Sequence, residues 1–175
     1  MTNAARTDLL VISASNGENL KLAERFAQQA RALGQTAEVL DLTEIDLPLF
    51  TPRSQAQGIP KAVEPVQQQL MAATRWVICA PEYNGSIPPS LTNAIAWLSV
   101  TGDNFRALFN GRPIAMATFS GGGGMELLLS LRIQLTHLGA QVVGRQLLSN
   151  IARPAKDDTI HDLLQRLLQM TPLLL

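Results

Sequence analysis

The chain has 175 residues, 46% of them hydrophobic and 16% charged, with a formal net charge of +0. That length suits one domain with a sizeable core, and the charge balance offers no basic face for nucleic acid or an anionic membrane. The single cysteine, Cys79, excludes an internal disulfide and fits a reducing cytoplasm.

The N-terminal stretch "MTNAARTDLLVISAS" has only a short apolar run with an acid inside it, so neither a signal peptide nor a membrane span is expected. A first strand is predicted at 8–13, "DLLVIS". The loop "SASNGENLK" (13–21) follows and opens a helix predicted at 18–34. It places four side-chain donors, Ser13, Ser15, Asn16 and Asn19, at a helix N-terminus, where outward N–H groups and the helix dipole favour an anion. Neither "GxxxxGK[ST]" nor "GxGxxG" occurs, which argues against a Walker loop and ordinary dinucleotide binding. "SNGE" (15–18) also fits a capping box, with Ser15 as cap and Glu18 returning the bond. Loop chemistry leaves the phosphate cradle and the cap both open. The helix stripe is Leu20, Ala23, Ala27, Ala30 and Leu33, ending at Gly34.

Further strands are predicted at 37–42, 75–80, 112–120 and 140–148, and helices at 65–74, 90–99, 125–139 and 157–170. Pro65 falls in the first turn of its helix, where a missing N–H is harmless. The strands are near-continuous apolar runs, the pattern of a parallel sheet covered on both faces. Strand and helix alternate five times, which argues for one α/β domain over 1–175 with right-handed crossovers. Ligands of such sheets bind at the carboxyl ends of the strands, beside a switch in strand order. The closing "LLQRLLQMTPLLL" reads as a helix end that packs on a neighbour or a second subunit.

Two more loops at that edge carry information. "APEYNGSIPPSLTNAIAWLS" (80–99) follows the third strand. Its prolines at 81, 88 and 89 restrict the backbone, and Asn84 and Gly85 accept turn conformations. Such a loop can aim N–H groups at a flat polar heterocycle, with Tyr83 offering a ring face; a plain rigid turn is the alternative. "FSGGGGMELL" (119–128) sends four glycines, preceded by Ser120 and starting at Gly121, into a helix and permits close backbone approach. A flexible helix start is the competing reading there.

"PEYNGSIPPSLTNAIAWLS" closely resembles the signature of the NAD(P)H-dependent FMN reductase family, which includes quinone, azo-dye and chromate reductases. "LPLF" (47–50), the glycine run and "LRIQLTHLGA" (131–140) extend the resemblance along the chain. It implies a flavodoxin-like fold with sheet order 2-1-3-4-5, usually dimeric or tetrameric. It also implies that Pro81, Glu82, Tyr83, Asn84 and Gly85 line the isoalloxazine, that Ser13, Ser15, Asn16 and Asn19 hold the FMN phosphate, and that Ser120 and Gly121 lie by the pyrimidine end. The family's first loop usually carries an arginine that "SASNGEN" lacks. A charge-assisted bond of about 1.5–3 kcal/mol is thereby lost, and the phosphate falls to backbone N–H groups.

The expected function is a cytoplasmic flavoenzyme. NADPH or NADH reduces bound FMN, which then reduces a small acceptor such as a quinone, free flavin, azo compound or metal oxyanion. The flavin carries the chemistry, so no catalytic acid–base pair is required. No adenine subsite is evident, which favours FMN over FAD. An electron-carrier flavodoxin and a degenerate interaction scaffold are the alternatives; the low aromatic content, 5%, argues against the carrier. Cys79 reads as a buried small hydrophobe, His137 and His161 as surface or packing residues, and Trp97 as core or subunit interface. Trp97 and "TPLLL" together suggest a homodimer or homotetramer.

Overall fold

The computed structural model describes residues 7–173. The expectations for residues 1–6 and for the final two leucines lie outside that range. In chain order the elements are β1 (Thr7–Ser13), α1 (Glu18–Ala32), β2 (Ala37–Asp41), α2 (Pro52–Gln55), α3 (Val63–Ala72), β3 (Ala73–Cys79), α4 (Pro89–Leu98), β4 (Pro113–Phe119), α5 (Met125–His137), β5 (Gln141–Val142), β6 (Leu147–Ser149) and α6 (Asp157–Gln169). Single 3₁₀ turns span Leu42–Glu44 and Phe105–Leu108.

All strand pairs are parallel, and the order is β2-β1-β3-β4-β5, as the resemblance implied. Alternation along the strands sends successive side chains to opposite faces. On one face Leu10, Ile12, Trp76, Ile78, Ile114 and Met116 pack against α3, α4 and α5. On the other, Leu9, Val11, Val77, Cys79, Ala115 and Ala117 meet α1 and α6. This two-sided cover is why the central strands read as unbroken apolar runs. Covering both faces also requires helices that cross over between successive strands.

Three sequence expectations shift, and a fourth is narrowed. The third strand starts at Ala73, and α3 ends at Ala72 rather than 74. Ala73 pairs with Thr7 and the Thr74 hydroxyl donates to the Thr7 carbonyl at 3.2 Å, so tertiary pairing draws two residues out of the helix. The fifth strand is interrupted. β5 pairs with the start of β4 and β6 with its end, and the chain leaves the sheet between them. There Arg132 of α5 donates to the Val143 carbonyl (2.9 Å) and to the Gln146 side chain (3.0 Å), taking the place of ladder bonds. The buried face of α1 is Asn19, Leu22, Ala23, Phe26, Ala27 and Ala30; Leu20 and Leu33 are only half-buried. Phe26 fills space above the sheet that a stripe of alanines leaves open. Trp97, finally, is fully buried within the chain itself, so it is core and not interface.

The amino edge of the sheet is closed by Arg112. Its guanidinium lies 4.5 Å from the Trp76 ring centroid and donates to the carbonyls of Leu108 (2.6 Å) and Ala73. Burial pushes its pKa down to about 10, so it remains charged at neutral pH. Closing that end leaves the loops to be built at the other.

Candidate functional site

The loops after β1, β3, β4 and β6 meet at the carboxyl edge, and backbone bonds step across it. Ala14 N–H donates to Cys79 (2.9 Å), Ala80 N–H to Ala117 (3.1 Å) and Ser120 N–H to Ser149 (3.0 Å). Buried and half-buried side chains lock the steps together. Asn19 donates to the Phe119 carbonyl (2.9 Å) and accepts from the Phe119 N–H (2.8 Å), joining α1 to the end of β4. The Ser90 hydroxyl donates to the Ala14 carbonyl (2.7 Å), Thr118 to Ala80 (2.6 Å) and Ser149 to Thr118 (2.7 Å). Sequence reasoning missed Ser90, Thr118 and Ser149. Each is a hydroxyl in or beside an apolar segment, and that is the only signal they give.

In the first loop the capping box does not form. The N-cap of α1 is Gly17, with no side-chain cap bond, and Glu18 pairs instead with Lys21 at 2.6 Å. Ser13 is fully buried and its hydroxyl donates to the Ser15 carbonyl at 2.7 Å, folding the loop back on itself. Ser15 is half-buried and Asn16 exposed. Among the described residues no acceptor meets the consecutive backbone N–H groups of residues 15–19. Successive free N–H groups at a helix N-terminus form an anion-binding concavity. Ser13 and Asn19 hold this loop in shape through their own bonds, and Ser15 and Asn16 are its more exposed side chains.

After β3 the chain makes a two-residue hairpin. Tyr83 and Ser86 exchange backbone bonds of 3.1 and 2.9 Å around Asn84 (φ 50) and Gly85 (φ 69). Both central residues have positive φ, the type I′ turn for which Asn-Gly is the favoured pair. Asn84 is the only non-glycine with positive φ among the described residues. The turn leaves the N–H groups of Glu82, Asn84, Gly85 and Ile87 without acceptors among those residues. Tyr83 is 51% exposed and presents its ring outward. Pro81 precedes the turn, while Pro88 caps α4 and Pro89 opens it. Further along the same motif, Asn93 and Trp97 grip the loop after β2. Asn93 accepts from Phe50 N–H (2.8 Å), Trp97 donates to the Pro48 carbonyl (2.7 Å), and the Phe50 and Trp97 rings meet edge to face at 5.1 Å. The long signature is therefore half platform and half scaffold.

The glycine loop ends at Gly124, the N-cap of α5, with φ 71. A Cβ there would stand 2.8 Å from the Thr118 Cγ2, so both backbone and space require glycine. Ser120 is buried and its hydroxyl accepts from Gly122 N–H at 3.4 Å. Gly121 faces open space, and its N–H has no acceptor among the described residues. Glu82 reaches across from the platform, its Oε2 accepting from Leu127 N–H at 3.3 Å.

Cys79 is fully buried and its thiol pKa is pushed far up by burial, the opposite of a reactive thiolate. His137 is exposed and His161 half-buried, and no metal-binding group of three or more His, Cys, Asp or Glu occurs among the described residues.

The carboxyl edge thus holds a run of free amides at the start of α1 and, on the neighbouring strand, an exposed turn with free N–H groups. The donors are backbone groups, which matches the missing arginine, and Glu18 and Lys21 neutralise one another at the rim. The fold has close counterparts. FerB, a flavoenzyme NAD(P)H:(acceptor) oxidoreductase from Paracoccus denitrificans, superposes with a TM-score of 0.74 at 20% identity, covering 94% of this chain and 96% of that one. A flavodoxin from the domain Archaea gives 0.63 at 11% identity, covering 93% and 95%. In sequence the chain is 39% identical over 103 residues to a quinone reductase of Escherichia coli strain K12, covering 57% of this chain and 53% of that protein. It is 36% identical over 89 residues to an NAD(P)H-dependent FMN reductase of Pseudomonas aeruginosa, covering 51% and 45%. The chain thus spans about half the length of these relatives. The family model described as NADPH-dependent FMN reductase matches residues 7–153, a stretch holding every strand and the loops that follow β1, β3 and β4, and on that match the chain belongs to the NADPH-dependent FMN reductase family.

Proposed function

We propose that this chain binds FMN along the carboxyl edge and acts as an NAD(P)H-dependent reductase of a small acceptor, with quinones the leading class. The observation that carries the reading is the free amide run of residues 15–19 set beside the Tyr83–Ser86 turn. The quinone reductase and FMN reductase names of the sequence relatives support the reaction class.

FMN, when bound, supplies hydride acceptance from NADPH or NADH and electron delivery to the second substrate. The protein's part is binding and orientation. The amides of residues 15–19 hold the phosphate, with Ser15 and Asn16 adding side-chain donors at the rim, while Ser13 and Asn19 keep the loop in shape. Pro81, Glu82, Tyr83, Asn84 and Gly85 form the wall for the ring, whose polar edge takes the free N–H groups of the turn. Ser120 and Gly121 bring the glycine loop against the opposite end, where N–H donors favour developing negative charge. No side chain of this set is assigned a proton-transfer role. The nicotinamide and then the acceptor would use one face of the ring in turn.

Chromatography of the chromophore released on denaturation tests the cofactor. FMN is expected. FAD, or no flavin after reconstitution with excess FMN, overturns the proposal. Rapid anaerobic bleaching by NADPH or NADH separates a reductase from an electron carrier.

We also propose a homodimer or homotetramer. The support is a stripe on α5, Met125, Leu129 and Ile133, which are 42%, 51% and 72% exposed at helical spacing.

A further inference from the structure

We infer that Glu82 is a positioning residue that locks the platform loop to the glycine loop and to the start of α5; this rests on reading those loops as the ring-binding wall. The N-terminal turn of a helix has N–H groups with no intrahelical partner. In α5 the N-cap is Gly124, which has no side chain to satisfy them. Glu126, in the same turn, makes no such bond. The acceptor comes from a different loop, 45 residues earlier in sequence, as the Glu82 carboxylate on Leu127 N–H. A carboxylate at this end of a helix is also favoured by the helix dipole.

The other carboxylate oxygen lies over the glycine loop, since a Cβ built on Gly122 would sit 3.6 Å from Oε1. One side chain therefore bonds the start of α5 and lies next to the glycine loop. Consecutive glycines have more backbone freedom than any other residues. Within the loop, Gly122 N–H makes a long bond, 3.4 Å, to the Ser120 hydroxyl. The lock limits that freedom and keeps the free N–H of Gly121 at a fixed distance from the hairpin. The role needs an oxygen acceptor at the reach of a glutamate. A glutamine provides one, whereas alanine lacks it and aspartate is a methylene short.

Amide hydrogen exchange on the flavin-free protein reads the lock directly. In E82A and E82D, exchange at the Leu127 amide is expected to rise about tenfold, the factor for losing one ordinary hydrogen bond. E82Q is expected to keep wild-type protection. An FMN titration is expected to follow the same order, with E82Q near wild type. Circular dichroism identifies any variant that unfolds, and E82D covers the loss of E82A. Wild-type protection of Leu127 in both E82A and E82D, or an E82Q as impaired as they are, overturns the inference. If the exchange pattern holds but no variant and no wild-type protein binds FMN, the lock stands and the cofactor reading falls.

Discussion

At the level of single residues, the first loop separates two roles that its sequence superimposes. Ser15 makes no cap bond to α1, so its hydroxyl is free for a ligand. Ser15→Ala is expected to weaken FMN by about 1 kcal/mol, the worth of one hydrogen bond, with the melting temperature of the flavin-free protein unchanged. Parallel melting and titration check this, and a drop in stability with unchanged affinity would restore the cap. Asn84 is the other informative position. Its φ of 50 is incompatible with the proline ring, which requires about −65°. Asn84→Pro is therefore expected to abolish FMN binding by breaking the turn, while Asn84→Gly keeps it. Tyr83→Leu falls between, losing a ring face worth up to about 1.5 kcal/mol. Titration of the three variants, with circular dichroism, ranks them. The type I′ turn was legible in "YNGS", because positive φ at two successive residues selects Asn-Gly. The Glu82 bond was not legible, because nothing local marks a glutamate as the acceptor for a helix 45 residues away.

Between elements, Asn19 has the largest structural consequence. It is 2% exposed and makes both the donor and acceptor bond to Phe119, imitating a strand neighbour where the sheet has run out. Asn19→Ala leaves the part-buried N–H and carbonyl of Phe119 without this partner, which is expected to cost about 2 kcal/mol. A lower melting temperature in the flavin-free protein is the readout; Asn19→Asp, which keeps only the acceptor, should fall short of full rescue. The ion pairs made by α6 lead to a different prediction. Arg25 holds Asp157, and Arg166 with Arg145 holds Asp162, each below the ordinary carboxylate value. A carboxyl group with a lowered folded-state pKa stabilises the fold above its unfolded pKa and loses that contribution as pH falls through the folded value. All three pairs lie at the surface, so the effect is small and salt weakens it further. Acid melting curves of Asp157→Asn and Asp162→Asn should converge with wild type below the carboxylate range, and at high salt the difference should already be small at pH 7. The helical periodicity of α1 was readable, but the rotation of its buried face was not. Leu20 and Leu22 are equally apolar, and only the position of the sheet selects between them.

For the whole molecule, burial of Trp97 removes one of the two grounds for assembly and α5 supplies another. Light scattering at micromolar concentration is expected to give a dimer or tetramer. Leu129→Glu combined with Ile133→Glu should produce monomers of unchanged secondary structure, because both side chains already face solvent within one chain. A wild-type monomer would remove the assembly proposal. FMN should also stabilise the fold by mass action, by about 2.7 kcal/mol at a hundredfold excess over Kd. A melting temperature unaffected by FMN would contradict binding to the native state.

The sequence by itself determined the α/β class, the strand order through its resemblance, and a turn at Asn84–Gly85. These follow from signals carried within a few residues: apolar runs, turn dipeptides and a contiguous motif. Only the tertiary structure decided which donors the first loop keeps free, how Asn19, Ser90, Thr118 and Glu82 bind the edge together, and where the fifth strand breaks. Those features depend on hydrogen bonds between segments far apart in the chain. An Asn or Ser looks the same in sequence whether its partner is a ligand or a distant carbonyl; the fold alone brings one of the two within reach.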